Sequence, residues 1–386
     1  MYILDKESKG AHGGMDRKLL QLWLTSKNAI TPTKIMLLQD YFGGVEAIYA
    51  ACEEEYEAIG ELSHAMIVAL CDKSLETAKR VFYDCVEQGI RILTCYDEDF
   101  PTCLTKISSP VSVLYAKGTL PDWDNMLGIA VVGTRRCSEY GHMVAERISH
   151  ELAAAGVTII SGMARGIDSV AGITAIKCGG KTVAVLGSGI DVIYPPEHAE
   201  LYDKIRKNGV VMTEYPPGTR PLRENFPRRN RIMAGLSYGI LVTQAPEKSG
   251  ALITASYAVE NGRDLYAVPA DIFNINSVGS NRLIKQGAKP VITADDIINE
   301  YPYLEIIPLS EKRTEEKQRD KLKDLDLSAL NDLQIKIVKE LNNEPLHIDE
   351  IARITGVASF EINSELVMLE LQGIVTKLNG NIYELN

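Results

Sequence analysis

The chain has 386 residues, 45% of them hydrophobic and 24% charged, with a formal net charge of −11. Such a composition fits a folded protein of two or three domains and excludes a fibrous or wholly disordered one. A chain that bound nucleic acid over its whole surface would be basic, so any such site here must be a local patch.

Residues 1–15 read as a flexible tail. Residues 16–89 carry short amphipathic stretches built on Leu19, Leu20, Leu22 and Trp23, on Ile35–Leu38, and on Val45–Ala51, Ala65–Cys71 and Thr77–Glu87. Turns at Gly43-Gly44 and Gly89 punctuate them, which predicts a small helical domain. Next come two expected strands, Ile90–Thr94 and Val111–Tyr115, with Pro101 and Pro110 breaking the chain between them. From Leu127 apolar runs alternate with helical patterns. The predicted strands are Gly128–Val132, Val157–Ile160, Thr182–Leu186, Val210–Met212, Tyr238–Thr243, Asp264–Val268 and Pro290–Ile292. The predicted helices are Tyr140–Ala155, Ile167–Cys178, Glu197–Lys207, Glu224–Ala234, Gly250–Asn261 and Asn281–Gln286. This alternation predicts an α/β fold with a doubly wound, mostly parallel sheet over residues 90–308. Ligands of such sheets bind outside the carboxyl ends of the strands.

Residues 309–327 are dominated by Lys, Glu, Arg and Asp and read as a charged linker. Over 328–386 three helix faces follow: Leu330, Ile335 and Val338; Ile348, Ile351 and Ala352; Ile362, Leu366, Leu369 and Leu371. A hairpin across Asn379-Gly380 completes a winged-helix pattern. From Ala329 to Asn386 there are nine acidic and four basic residues, a balance of −5, and the third helix carries Glu361, Glu365 and Glu370 without a cation. Such a helix is poorly suited to meet phosphates in a groove.

Seven cysteines, an odd number with no Cys-x-x-Cys pair, support neither a disulfide framework nor a zinc site, and no other metal or cofactor motif is present. With no run of about 18 apolar residues, no membrane partner is expected, and a cytoplasmic setting fits best.

The loops at the strand ends carry the chemistry. A dinucleotide site needs Gly-x-Gly-x-x-Gly. Here Gly133-Thr134-Arg135-Arg136 places arginine at the second glycine, which argues against NAD or FAD and for phosphate bound by guanidinium groups and helix-start N–H groups. No Walker A run occurs. Further glycine turns fall at Ser161-Gly162 (with Arg165), Gly187-Ser188 and Ser249-Gly250 (with Lys248). Between Arg220 and Arg231 five arginines, Arg220, Arg223, Arg228, Arg229 and Arg231, face Glu224 alone, a local balance of +4. A nucleic-acid backbone is the simplest partner for it, and Tyr194, Tyr215 and Phe226 nearby could stack bases. The bland alternative places Phe226 in the core and pairs the arginines with acids elsewhere. No nucleophile elbow, His-Glu-x-x-His run or cysteine–base pair is present, so no catalytic residue is assigned. Asp168 and Asp191 could brace their loops as well as act as acids.

Taken together, Val131–Arg136, Ser161–Asp168, Leu186–Asp191, Glu214–Gly218, Phe226–Ile232 and Ser249–Thr254 resemble the DprA/Smf family of DNA-processing proteins. That resemblance implies an extended Rossmann-like domain between an N-terminal sterile-alpha-motif-like helical domain and a C-terminal winged helix. It further implies a non-enzymatic, homodimeric protein that binds single-stranded DNA, protects incoming strands and loads the RecA recombinase. By motif position the phosphate-gripping arginine falls on Arg135, with Gly133, Thr134 and Arg136 around it. Ser161-Gly162, Asn230-Arg231 and Ser249-Gly250 fall on the rest of the pocket, with Arg165, Gly187, Ser188, Arg228 and Lys248 as further expected DNA contacts. Relatives often carry lysine after Tyr-Pro, where this chain has Pro196 and Glu197. The competing readings are a nucleotide phosphoribohydrolase of similar fold and a protein-interaction scaffold. The first needs Pro-Gly-Gly-x-Gly-Thr-x-x-Glu, and here Ala251 and Thr254 stand at its threonine and glutamate.

Overall fold

A computed structural model describes residues 12–304, 306–310, 330–342, 345–378 and 380–385. It divides into two compact units, Met1–Ile306 and Ile307–Asn386. The expected tail up to residue 11 and the expected linker from 311 onward lie outside the described residues.

The first unit opens with six helices: α1 (His12–Ser26), α2 (Pro32–Phe42), α3 (Val45–Ala50), α4 (Glu53–Glu57), α5 (His64–Cys71) and α6 (Glu76–Glu87). Helix α1 thus begins four residues before the expected boundary at Asp16. The Thr31 hydroxyl caps α2 by accepting from Lys34 N, with Pro32 at the first helical position, and Gly43 ends the helix at φ 78°. Trp23 is fully buried, and its indole N–H donates to Asp72 O at 2.9 Å. Leu22, Trp23 and Leu38 share one apolar cluster with Ile92, Tyr115 and Val211 of the sheet. The helical residues and the sheet fall within one compact unit and share this cluster.

Nine strands follow: β1 (Arg91–Thr94), β2 (Val113–Gly118), β3 (Gly128–Val132), β4 (Thr158–Ser161), β5 (Thr182–Val185), β6 (Val210–Thr213), β7 (Gly239–Val242), β8 (Asp264–Ala267) and β9 (Lys289–Pro290). They form one sheet in the order β1-β2-β6-β5-β4-β3-β7-β8-β9. The pairs β1–β2 and β2–β6 are antiparallel, and the remaining pairs are parallel. Strands β3 to β7 are buried along their whole lengths, as parallel strands covered on both faces must be. Helices α7 (Glu139–Ala154), α8 (Ile167–Lys177), α9 (Ala199–Asn208), α10 (Asn225–Leu236), α11 (Gly250–Glu260), α12 (Val278–Lys285) and α13 (Asp295–Ile298) provide that cover. From β3 the chain winds outward through β4, β5 and β6, then returns to β7 on the other flank of β3. The carboxyl ends of β3, β4 and β7 are therefore the switch point where a ligand crevice opens.

Several boundaries depart from the sequence reading, among them β2, which runs over Val113–Gly118 rather than Val111–Tyr115. A 3-10 turn at Pro196–His198 precedes α9, which starts at Ala199. Helix α12 starts at Val278, three residues before the expected Asn281. Strand β9 is only Lys289–Pro290, and Ile292, expected inside it, is exposed.

The second unit contains α14 (Asp332–Leu341), β10 (Leu346–His347), α15 (Ile348–Thr355), α16 (Ser359–Leu371), β11 (Val375–Lys377) and β12 (Ile382–Leu385). Its sheet has the antiparallel order β10-β12-β11, which adds a short strand to the expected hairpin. Ile337, Ile351, Ile362, Leu366 and Leu369 form its core. Leu371, expected on the core face, is 79% exposed. Phe360, Val367 and Met368 are exposed with it, so α16 is apolar on two faces and buries only one.

Candidate nucleic-acid interface

A cavity of about 700 Å³ opens at the switch point. The loop after β3, the loop after β7 and the start of α10 form its walls. Gly133 is required where β3 ends, because a Cβ there would meet the Ile167 side chain and lie 2.8 Å from Gln244 O. Thr134 N donates to that same carbonyl at 2.8 Å. Ser138 then caps α7 by accepting from Gly141 N.

Gln244, fully buried just beyond β7, holds this loop in place. Its Oε1 accepts from Ser138 N at 2.9 Å, and its Nε2 donates to Ser138 Oγ at 2.8 Å and Ser277 Oγ at 3.3 Å. One amide thus joins the loops that follow β3, β7 and β8. Nothing in the sequence singles it out beyond a polar residue ending an apolar run.

Arg135, Arg136, Arg223 and Lys248 line the cavity, and all four are exposed. None of them is in an ion pair among the described residues. The Arg135 guanidinium lies 5.3 Å from the centre of the Phe226 ring, and Tyr194 packs against that ring at 5.4 Å. Phe226 is half-buried, so it is neither wholly core nor free. Ser249 accepts from Ala251 N at the start of α11, and Gly250 follows with open space where a Cβ would project. Asn230 reaches across from α10 to donate to Gly250 O at 3.3 Å.

The floor carries two buried groups of opposite charge, Arg229 and Asp168. Arg229 is 3% exposed, its guanidinium lies over Gly162, and it donates to Val185 O. A Cβ at residue 162 would overlap that guanidinium, which is why glycine stands there. Asp168 accepts from Gly162 N at 3.0 Å. Burial pushes the Asp168 carboxyl above its usual 3.8, with the Arg229 charge pulling the other way. Burial likewise drags the Arg229 guanidinium down to about 10, opposed by Asp168. Asp168 is the one acid lining the cavity among the described residues.

Of the expected contacts, Gly133, Thr134, Arg135, Arg136, Asn230, Lys248, Ser249 and Gly250 come together around this space. The others lie off it. Ser161 and Gly162 are buried behind Arg229, and Gly187 packs beneath the Phe226 ring. Ser188 is buried and donates to Val192 O at 2.7 Å. Arg165 lies outside the lining, in an exposed ion pair with Glu197 at 2.5 Å. Arg228 is exposed but outside the lining. Arg231 is 4% exposed and pairs with Glu214, whose carboxyl burial raises above its usual range while Arg231 pulls it back. Two of the five arginines of the basic run therefore support the fold, and the local +4 overstates what the groove presents. Arg223 and Arg229 of the basic run and the rings of Tyr194 and Phe226 line the cavity, whereas Gln244 and Asn276, which the sequence did not single out, also belong to the site or its support.

The fold and the site define a Rossmann-type protein with a cation-walled cavity at its switch point and a separate winged-helix unit. A family model described as DNA recombination-mediator protein A matches residues 91–302, and a DprA winged-helix model matches 323–381. Protein Smf of Synechocystis is 36% identical over 324 residues, covering 77% of this chain and 81% of that one. The X-ray structure of DNA processing protein A from Streptococcus pneumoniae superimposes with a TM-score of 0.65 at 33% identity, covering 73% of this chain and 97% of that one. A Helicobacter pylori DNA processing protein A structure, described for its single-stranded DNA binding mode, gives a TM-score of 0.50 at 29% identity over 55% of this chain and 94% of that one. The chain belongs to the DprA/Smf family of DNA-processing proteins. Among the described residues no helix is long and apolar enough to cross a membrane.

Proposed function

We propose that this chain binds single-stranded DNA, holding backbone phosphates in the switch-point cavity, and is not itself an enzyme. The observation that carries the reading is the set of four exposed, unpaired cations, Arg135, Arg136, Arg223 and Lys248, around one cavity whose only described acid is buried. Arg165, by contrast, is in an ion pair with Glu197. Guanidinium groups and the α11 N-terminus suit phosphate oxygens, and Tyr194 and Phe226 supply ring faces. The similar Helicobacter protein, described for its single-stranded DNA binding, supports the same ligand. Gly133, Thr134, Asn230, Ser249 and Gly250 complete the contact set. Buried Thr254 stands where the phosphoribohydrolase motif needs glutamate, which disfavours that alternative.

In the same reading the protein works in the cytoplasm as a homodimer that shields incoming single strands and passes them to RecA. Family membership supports these partners. Fluorescence titration of labelled oligo-dT tests the core of the proposal. Arg135→Ala weakens binding about tenfold or more, the loss of a charge-assisted phosphate contact. An unchanged affinity with the fold intact overturns it. Light scattering tests the dimer, and a one-chain mass across micromolar concentrations refutes it.

A further inference from the structure

The segment after β8 presents apolar side chains to solvent beside the cavity. Ile272 is 75% exposed, Phe273 90% and Ile275 76%. Phe273 is thus nearly free of contact, in a chain whose larger apolar side chains are mostly packed.

The segment carrying them is anchored. Asp271 Oδ1 accepts from Phe273 N at 2.9 Å, and Asn274 N donates to Asp271 O at 3.1 Å, which closes a turn with Phe273 at its tip. At one base of the turn Asn281 holds Ala270 through bonds of 3.1 Å and 2.9 Å. At the other, Ser277 is held by Gln244, the same amide that sets the Arg135 loop. The turn is therefore braced to the cavity wall while its tip stays uncovered. Asn276, three residues beyond Phe273, lines the cavity itself. Three residues span at most about 10–11 Å even when extended, so the Phe273 ring stands within one short step of the cation-walled space.

We infer that Phe273, flanked by Ile272 and Ile275, is a nucleobase platform, on which bases of a single strand stack as its phosphates leave the cavity. The inference rests on the proposed single-stranded DNA binding and extends it to a second contact class. Charge continuity selects the occupant. A strand drawn to Arg135, Arg136 and Lys248 brings flat apolar bases with it, and stacking on an aromatic face tolerates any sequence. The phosphate contacts position the strand, and this ring adds affinity without adding sequence preference.

Two variants test it in the full-length protein. Phe273→Ala, at a position too exposed to matter for folding, weakens oligo-dT binding by about tenfold. Phe273→Trp places an exposed indole there, and its fluorescence is quenched as oligo-dT saturates the protein. An abasic oligomer of equal length, driven to saturation, leaves the emission unchanged. Wild-type protein, with its native Trp23 fully buried and Trp123 partly buried, is the reference. If wild-type protein binds oligo-dT and Arg135→Ala weakens it, while both Phe273 variants are silent, the platform is wrong and the phosphate site stands. If wild-type protein does not bind oligo-dT, both fall. If the indole emission shifts with protein concentration alone and no longer responds to oligo-dT, a second copy covers the ring and the inference is overturned.

Discussion

Replacing Gln244 by alanine should loosen the β3 loop without touching any exposed cation. The side chain is fully buried and makes bonds of 2.8, 2.9 and 3.3 Å to Ser138 and Ser277. Each bond contributes about 1 kcal/mol net, and the Ser138 N–H is left without its acceptor, a further cost of about 1 kcal/mol or more. The truncation also opens a small void where the amide packed. The sum is about 4–5 kcal/mol, which for a unit of this size lowers Tm by about 8–10 °C. Because Ser138 and Ser277 both converge on this side chain, loop order is lost with stability, and oligo-dT binding should weaken too. Ser138→Ala removes one arm and the α7 cap, so it should cost about half as much. Calorimetry and DNA titration on the same samples read both effects. A Gln244→Ala protein within about 0.5 kcal/mol of wild type, the range of an ordinary surface substitution, would refute the role assigned to the amide.

Arg231→Met should leave the Glu214 carboxylate buried without its partner and cost about 3 kcal/mol, while Arg231→Met with Glu214→Leu recovers most of the loss; denaturant unfolding of the three proteins checks it. The Asp168 carboxyl titrates above 3.8, so as pH falls toward its raised pKa the cavity loses a negative charge. Single-strand affinity should therefore rise with acidification, and Asp168→Asn should flatten that dependence in pH-resolved titrations. Deleting residues 327–386 should leave duplex DNA binding unchanged, because α16 exposes Phe360, Val367, Met368 and Leu371 among glutamates rather than cations; a large loss of duplex binding in gel-shift assays would show that this unit grips DNA.

The sheet was legible in the sequence because fully buried parallel strands leave unbroken apolar runs, such as Ile129–Val132 and Ile240–Val242. The Arg135 loop was legible because arginine stands where a dinucleotide loop needs glycine. The roles within the basic run were not. Arg228, Arg229 and Arg231 sit on one helix, where neighbours in sequence point to different sides. Arg228 faces solvent, while Arg229 and Arg231 turn inward to Asp168 and Glu214, partners that only the folded chain brings near. Gln244 was invisible for the same reason, since its partners Ser138 and Ser277 lie far away in sequence on both sides. Glycines were ambiguous as well. Gly133 and Gly250 line the cavity, whereas Gly162 and Gly187 make room for the Arg229 guanidinium and the Phe226 ring.

The salt dependence of oligo-dT binding, measured for wild type and Arg135→Ala side by side, tests the central claim most directly. Each phosphate neutralised on a single strand contributes about −0.7 to the slope of log K against log salt. Four cations around the cavity predict a wild-type slope of about −3, and removing Arg135 should reduce its magnitude by about 0.7. A wild-type slope near zero, or one that Arg135→Ala leaves unchanged, would contradict phosphate capture at the switch point.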